Sequence, residues 1–97
     1  MKGFRFLRQA RAEMTEAAER YEGERTGLGG EFLDEVHRVV DAARLHPESG
    51  TPLIRGTRRL LLRRFPYSLV FRDEPENILI VAVAHHRRRS GYWLRRK

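Results

Sequence analysis

The chain changes its hydrophobic period twice. Phe4 and Phe6 flank Arg5 in a period of two, which predicts a short half-buried strand leading directly into a helix. From Arg8 to Tyr21 the apolar positions Ala10, Met14, Ala17 and Tyr21 recur at helical spacing, while Glu13, Glu16, Glu19 and Arg20 fall largely off that stripe. This is an amphipathic α-helix. The segment GERTGLGG, Gly23 to Gly30, supplies glycines that end the helix and let the chain reverse. Leu28, Phe32, Val36, Val39 and Ala43 then mark a second amphipathic helix, with Leu33 and Val40 beside the stripe, ending near His46 before Pro47. Two consecutive helices joined so closely predict an antiparallel hairpin.

Beyond it the period returns to two. HPESGTP, His46 to Pro52, is a loop by composition. Arg58 to Phe65, Tyr67 to Arg72 and Ile78 to His85 read as three strands, with Asp73 to Asn77 as the turn between the last two. Phe65-Pro66-Tyr67 makes a tight connection, because proline cannot donate within a central ladder. The strand from Ile78 is apolar on both faces and is expected to be central and covered on each side. Arg87 to Lys97 reads as a short turn plus tail. The order is βααβββ, an α+β fold with a helical hairpin packed on an antiparallel sheet.

A chain of 97 residues encloses one modest core, so a single domain spanning 1–97 is expected. With 40% hydrophobic residues in regular periods it is no disordered chain, although 34% charged residues and a net charge of +7 ionise its surface heavily. The charge is unevenly placed. Residues 1–53 hold eight Lys/Arg against ten Asp/Glu, and residues 54–97 hold twelve against three. A cationic second half points to a polyanionic partner, nucleic acid or an acidic protein segment, the alternative being a solvated basic surface. There is no cysteine, which excludes disulfide and thiolate chemistry and fits a reducing, cytoplasmic location. The N-terminus is interrupted by charges too often for a signal peptide or a membrane span.

Conventional catalytic motifs are lacking. His37, His46 and the His85–His86 pair show no metal-ligand spacing, so no metal and no cofactor are expected. GLGG has neither the strand–loop–helix context nor the lysine of a phosphate-binding loop, and Ser49, Ser68 and Ser90 sit in no nucleophile-elbow context.

Five stretches carry a resemblance when taken in order. They are the first helix ending in Tyr21-Glu22, GLGGEFLDEV from Gly27 to Val36, HPESG, RRFPYSLVF from Arg63 to Phe71, and ILIVAVAHHRRRSGYWLRR. Together they resemble toxins of the RelE/ParE superfamily, the small basic members of bacterial type II toxin–antitoxin pairs, known also as plasmid stabilisation proteins. The family pattern usually has proline where this chain has Ser90. The resemblance implies the same βααβββ fold and a labile cognate antitoxin whose C-terminal segment wraps the toxin and silences it. An acidic, partly disordered chain would suit the cationic second half.

Within the superfamily the functions divide. RelE-like members are ribosome-dependent mRNA endoribonucleases, and ParE-like members inhibit DNA gyrase without chemistry of their own. Cleavage by 2′-hydroxyl attack needs proton transfer to and from the reacting oxygens and cations on the phosphate. A nuclease would draw on His85, Arg64, Arg88 and Tyr92. Target or antitoxin binding would draw on Arg58, Arg63, Arg64, Arg87, Arg88, Arg89 and Tyr92, since guanidinium forks fit phosphates and carboxylates. The nuclease members commonly use lysines or a carboxylate on these strands. Here the only lysines are Lys2 and Lys97, and no acidic residue lies between Gly50 and Arg72. Gyrase inhibition is therefore favoured over mRNA cleavage, with a non-toxic basic nucleic-acid-binding module as a further alternative. All three need a cationic groove built by the last strands and their arginine-bearing exit.

Overall fold

In the computed structural model, which describes residues 1–96, the chain runs through seven regular elements. They are β1 (Gly3–Phe6), α1 (Arg8–Glu24), α2 (Leu28–Leu45), β2 (Thr51–Pro52), β3 (Thr57–Leu61), β4 (Tyr67–Asp73) and β5 (Asn77–His85). Single 3₁₀ turns flank β2, at Pro47–Ser49 and Ile54–Gly56. The sheet order is β1-β5-β4-β3-β2, antiparallel throughout except for β1, which pairs parallel to β5. That parallel pair follows from connectivity. The strand that precedes the helical hairpin and the strand that ends the chain's sheet run side by side, and β5 is thereby interior, as its two apolar faces require.

The α1 stripe is buried at Ala10, Met14, Ala17 and Ala18, and that of α2 at Phe32, Val36, Val39, Val40 and Ala43. Both helices cover one face of the sheet, against Tyr67, Leu69 and Phe71 of β4. Phe32 contacts Tyr21, Phe65 and Tyr67 with ring centroids 5.1 to 5.4 Å apart, an aromatic cluster that ties the hairpin to the strands. The hairpin itself is closed by Gly27, whose φ of +91° is open to glycine, and by Glu22, whose carboxylate accepts the N–H groups of Gly27 and Gly29 at 2.9 and 3.0 Å. A Cβ at Gly29 would stand 2.5 Å from the Ala18 carbonyl oxygen, so the helices meet where only glycine fits.

The strand expected over 58–65 stops at Leu61. Glu35, on α2 and only 6% exposed, accepts the backbone N–H groups of Arg63 and Arg64 and pairs with Arg38 at 3.0 Å. A buried carboxylate that takes these donors pulls the chain out of the ladder, and Phe65 turns into the core from a loop. The C-terminal segment, expected as a turn plus tail, instead folds back on the sheet through consecutive turns with Trp93 buried at 7% exposure.

Candidate functional site

The face of the sheet away from the helices carries a groove of about 330 Å³. Strand alternation decides what lines it. Leu60 pairs with Leu69 on the helix side, so Arg59 and Leu61 of β3 point the other way, beside Val70 and Ser68 of β4 and Ala84 of β5. Small side chains make the floor. Arg59 and Leu61 form one wall, and the returning C-terminal segment forms the other with Arg88, Arg89, Tyr92 and Trp93, His85 and His86 closing one end. No aspartate, glutamate or lysine lines it among the described residues. Trp93 also has its Nε1–H buried without an acceptor among the described residues.

The far wall is fixed by one carboxylate. Glu13 of α1 accepts the Tyr92 hydroxyl at 2.6 Å, both terminal nitrogens of Arg96 at 2.8 Å, and the Val83 backbone N–H at 3.0 Å. Arg96 also donates to the Val81 carbonyl at 3.0 Å. These bonds cover the stretch of β5 edge left open where β1 ends at Phe6, and so tether residues 92–96 around it. Burial and the bond to Glu13 push the Tyr92 phenol far above its ordinary value, so it stays protonated. Its ring lies under the Arg88 guanidinium, 3.8 Å from the centroid, with Arg96 at 5.0 Å.

The residues singled out from the sequence are distributed over four regions, Arg87 standing with His85 in a cleft beside α1. Arg88, Arg89 and Tyr92 line the groove. Arg58 faces the helix side and donates to the Glu48 and Gly50 carbonyls at 3.1 and 2.8 Å. Arg63 and Arg64 stand with Glu31, Asp34, Glu35 and Arg38, where Arg64 pairs with Glu31 at 2.6 Å and holds that carboxyl below its usual range. Of the nuclease set, His85, Arg88 and Tyr92 border the groove, and Arg64 stands apart at the α2 acidic cluster. His85 pairs with Tyr67 at a ring distance of 5.0 Å. Its Nδ1 accepts the Arg87 N–H at 3.0 Å, and burial together with Arg87, Arg20 and His86 lowers its pKa. The imidazole is therefore held neutral with its proton on Nε2.

Arg59, Leu61 and Glu13 did not emerge from the sequence as site residues, and His86 and Trp93 read there as a solvated side chain and a packing anchor. Arg59 was accessible to it, since alternation with Leu60 separates it from Arg58 on opposite faces. Glu13 was not, because its partners lie at the other end of the chain. No group of three or more metal-ligating side chains occurs among the described residues, and no helix there is long and apolar enough to cross a membrane.

Comparisons place this geometry among known proteins. No curated protein matches the chain. A solved structure described as the chromosomal ParDE TA system from P. aeruginosa is similar in fold, with a TM-score of 0.62 at 21% identity over 88% of this chain and 96% of that one. The family model for the ParE toxin of the type II toxin–antitoxin system parDE matches residues 4–90, nearly the whole α+β unit and the groove floor with it. The chain belongs to the ParE toxin family of type II toxin–antitoxin systems.

Proposed function

We propose that this protein is a growth-arresting toxin of the cytoplasm that acts by binding DNA gyrase, and that a cognate antitoxin neutralises it by filling the groove. The observation that carries the reading is the groove's composition. Its cationic rim of Arg59, Arg88 and Arg89 surrounds a small-residue floor and the apolar sides of Leu61 and Trp93, with no carboxylate or lysine among the residues that line it. Such a surface accepts an apolar anchor flanked by acidic side chains.

The proton-transfer groups argue against cleavage. His85 lines the groove's end, but its ring packs on Tyr67 and its Nδ1 accepts the Arg87 N–H, and the Tyr92 hydroxyl is engaged by Glu13. Neither His85 nor His86 has a carboxylate beside it in the groove among the described residues to relay a proton. Binding needs none of this chemistry.

Two assays, one on the purified protein and one in cells expressing it, test the proposal. Supercoiling by gyrase stalls in its presence, and Arg59→Glu with Arg88→Glu relieves the block and weakens capture of the antitoxin encoded beside it. Primer extension on messages from arrested cells finds no codon-linked cuts. Unaffected supercoiling together with cut messages would overturn the gyrase assignment and restore the endonuclease reading.

A further inference from the structure

A second cleft, of about 390 Å³, opens on the helix side of the sheet between α1 and the end of β5. Its lining holds donor groups with capacity left over among the described residues. The Arg87 guanidinium makes no ion pair among the described residues, and its backbone N–H alone is engaged, by His85 Nδ1. With Nδ1 an acceptor, the neutral ring of His85 presents Nε2–H as a donor. Arg20 is bonded to the Tyr67 hydroxyl through one nitrogen and stands 5.8 Å over the Tyr21 ring, without a carboxylate partner among the described residues. Tyr67, accepting from Arg20, keeps its own proton to donate. The acidic side of the cleft is largely neutralised, since Glu13 is saturated by Arg96, Tyr92 and the Val83 N–H. Glu16 is left as an unengaged acceptor among the described residues.

We propose that this cleft is a binding site for a phosphoryl group, carried on a nucleotide or at the 5′ end of an oligonucleotide. Arg20 and Arg87 approach from different elements, which matches a tetrahedral anion better than the planar pairing of one carboxylate. His85 Nε2–H and the Tyr67 hydroxyl complete the donors. Glu16 accepts from a sugar hydroxyl. The cleft has the size of a small-molecule site. The positive field at the cleft is already legible in His85, since, after burial, Arg87 and Arg20 help to lower its pKa. The cleft opens toward α1 and adjoins the groove at the strand exit, where His85 and Arg88 line both, but Arg20, Arg87 and Glu16 belong to the cleft and the site does not depend on the target assigned above.

The experiment follows the His85 imidazole by NMR while pH is varied, in chloride and in orthophosphate at matched ionic strength. The groups that act on that ring are Glu13, Glu16 and Arg20 of α1, Tyr67 of β4, and His86, Arg87 and Arg88 at the strand exit. A bound phosphoryl dianion favours the imidazolium, so phosphate raises the His85 pKa. Arg87→Gln, at an exposed side chain, weakens the effect by roughly tenfold in phosphate concentration, the loss of one charge-assisted contact. Arg59→Gln, on the other face, leaves it unchanged. Separate arms with a nucleoside 5′-monophosphate and with a single-stranded oligonucleotide, 5′-phosphorylated or not, decide which carrier binds tighter. A His85 titration identical in chloride and phosphate would overturn the site, as would equal losses in the Arg87 and Arg59 variants, which would mean diffuse screening.

Discussion

Replacing Glu13 by alanine removes one side chain from α1 and is expected to loosen the opposite end of the chain. Glu13 and Arg96 are each 15% exposed, so the pair is mostly desolvated and screening discounts it little. Breaking such a pair by deleting one partner costs about 3–5 kcal/mol, because the other charge stays behind without a counter-ion. The Val83 N–H and the Tyr92 hydroxyl also lose their acceptor, but release of the tail lets water reach them, which keeps the total near that range rather than above it. A domain of this length has roughly 5–15 kcal/mol of stability, so the variant folds. At roughly 4–8 °C per kcal/mol its melting temperature falls by about 12 °C or more. Since the chain has one tryptophan, and it sits in the tethered segment, fluorescence separates local from global change. Trp93 emission shifts to the red in Glu13→Ala while far-ultraviolet circular dichroism stays native. A double-mutant cycle with Arg96→Ala returns a coupling of about 1–3 kcal/mol. A melting temperature within 2 °C or so of the parent, or unchanged emission, would refute the reasoning, since either means that the carboxylate does not hold the segment.

Two adjacent glycines of α2 should respond oppositely to the same change. Gly29→Ala drives a Cβ into the Ala18 carbonyl and destabilises by about 1–3 kcal/mol, whereas Gly30→Ala meets nothing within 4 Å and gains about 0.5–1 kcal/mol from the less flexible unfolded chain. Urea midpoints of the two variants decide it, and equal midpoints would contradict the close helix crossing. Acidification gives another check. The folded pKa of His85 lies below the usual 6.5, so its contribution is intact above that pH and is lost as pH falls from there through the folded value. Between pH 7.5 and 5 the parent should therefore lose more thermal stability than His85→Gln, and parallel curves would show that the ring is not held neutral.

How far the sequence carried the reading depends on where each determinant lies. Ala10, Met14, Ala17 and Phe32, Val36, Val39 are local stripes, and a stripe names its own helix whatever it packs against, so α1 and α2 were legible almost to their ends. β3 was drawn too long because Leu60, Leu61 and Leu62 continue an apolar run past the strand, and what halts it is Glu35, on another element. The arginines were legible as charge and not as place. Arg58, Arg59, Arg63 and Arg64 look equivalent along the chain, yet a carbonyl pair, the open sheet face and the α2 carboxylates claim them separately. Only Arg59 among these four reaches the groove.

The assignment of the two histidines to opposite faces turns on one residue of β5. In the hairpin Phe71 pairs with Ile80, but Val70 pairs with Ala82, so Val81 is an extra residue in the strand. A bulge of this kind reverses the alternation beyond it. Ile78 and Ile80 share the helix side with Phe71, and past Val81 it is Val83 and His85 that share it with Leu69 and Tyr67. Carried through without the extra residue, the same register would send His85 to the open groove and His86 under the helices. Nothing along Ile78 to Ala84 betrays the switch, because every residue there is apolar and no polar alternation exists to be broken. One inserted backbone unit thus turns the His85 imidazole toward Tyr67, Arg20 and Arg87, so that it borders the groove only at its end while His86 faces the open side.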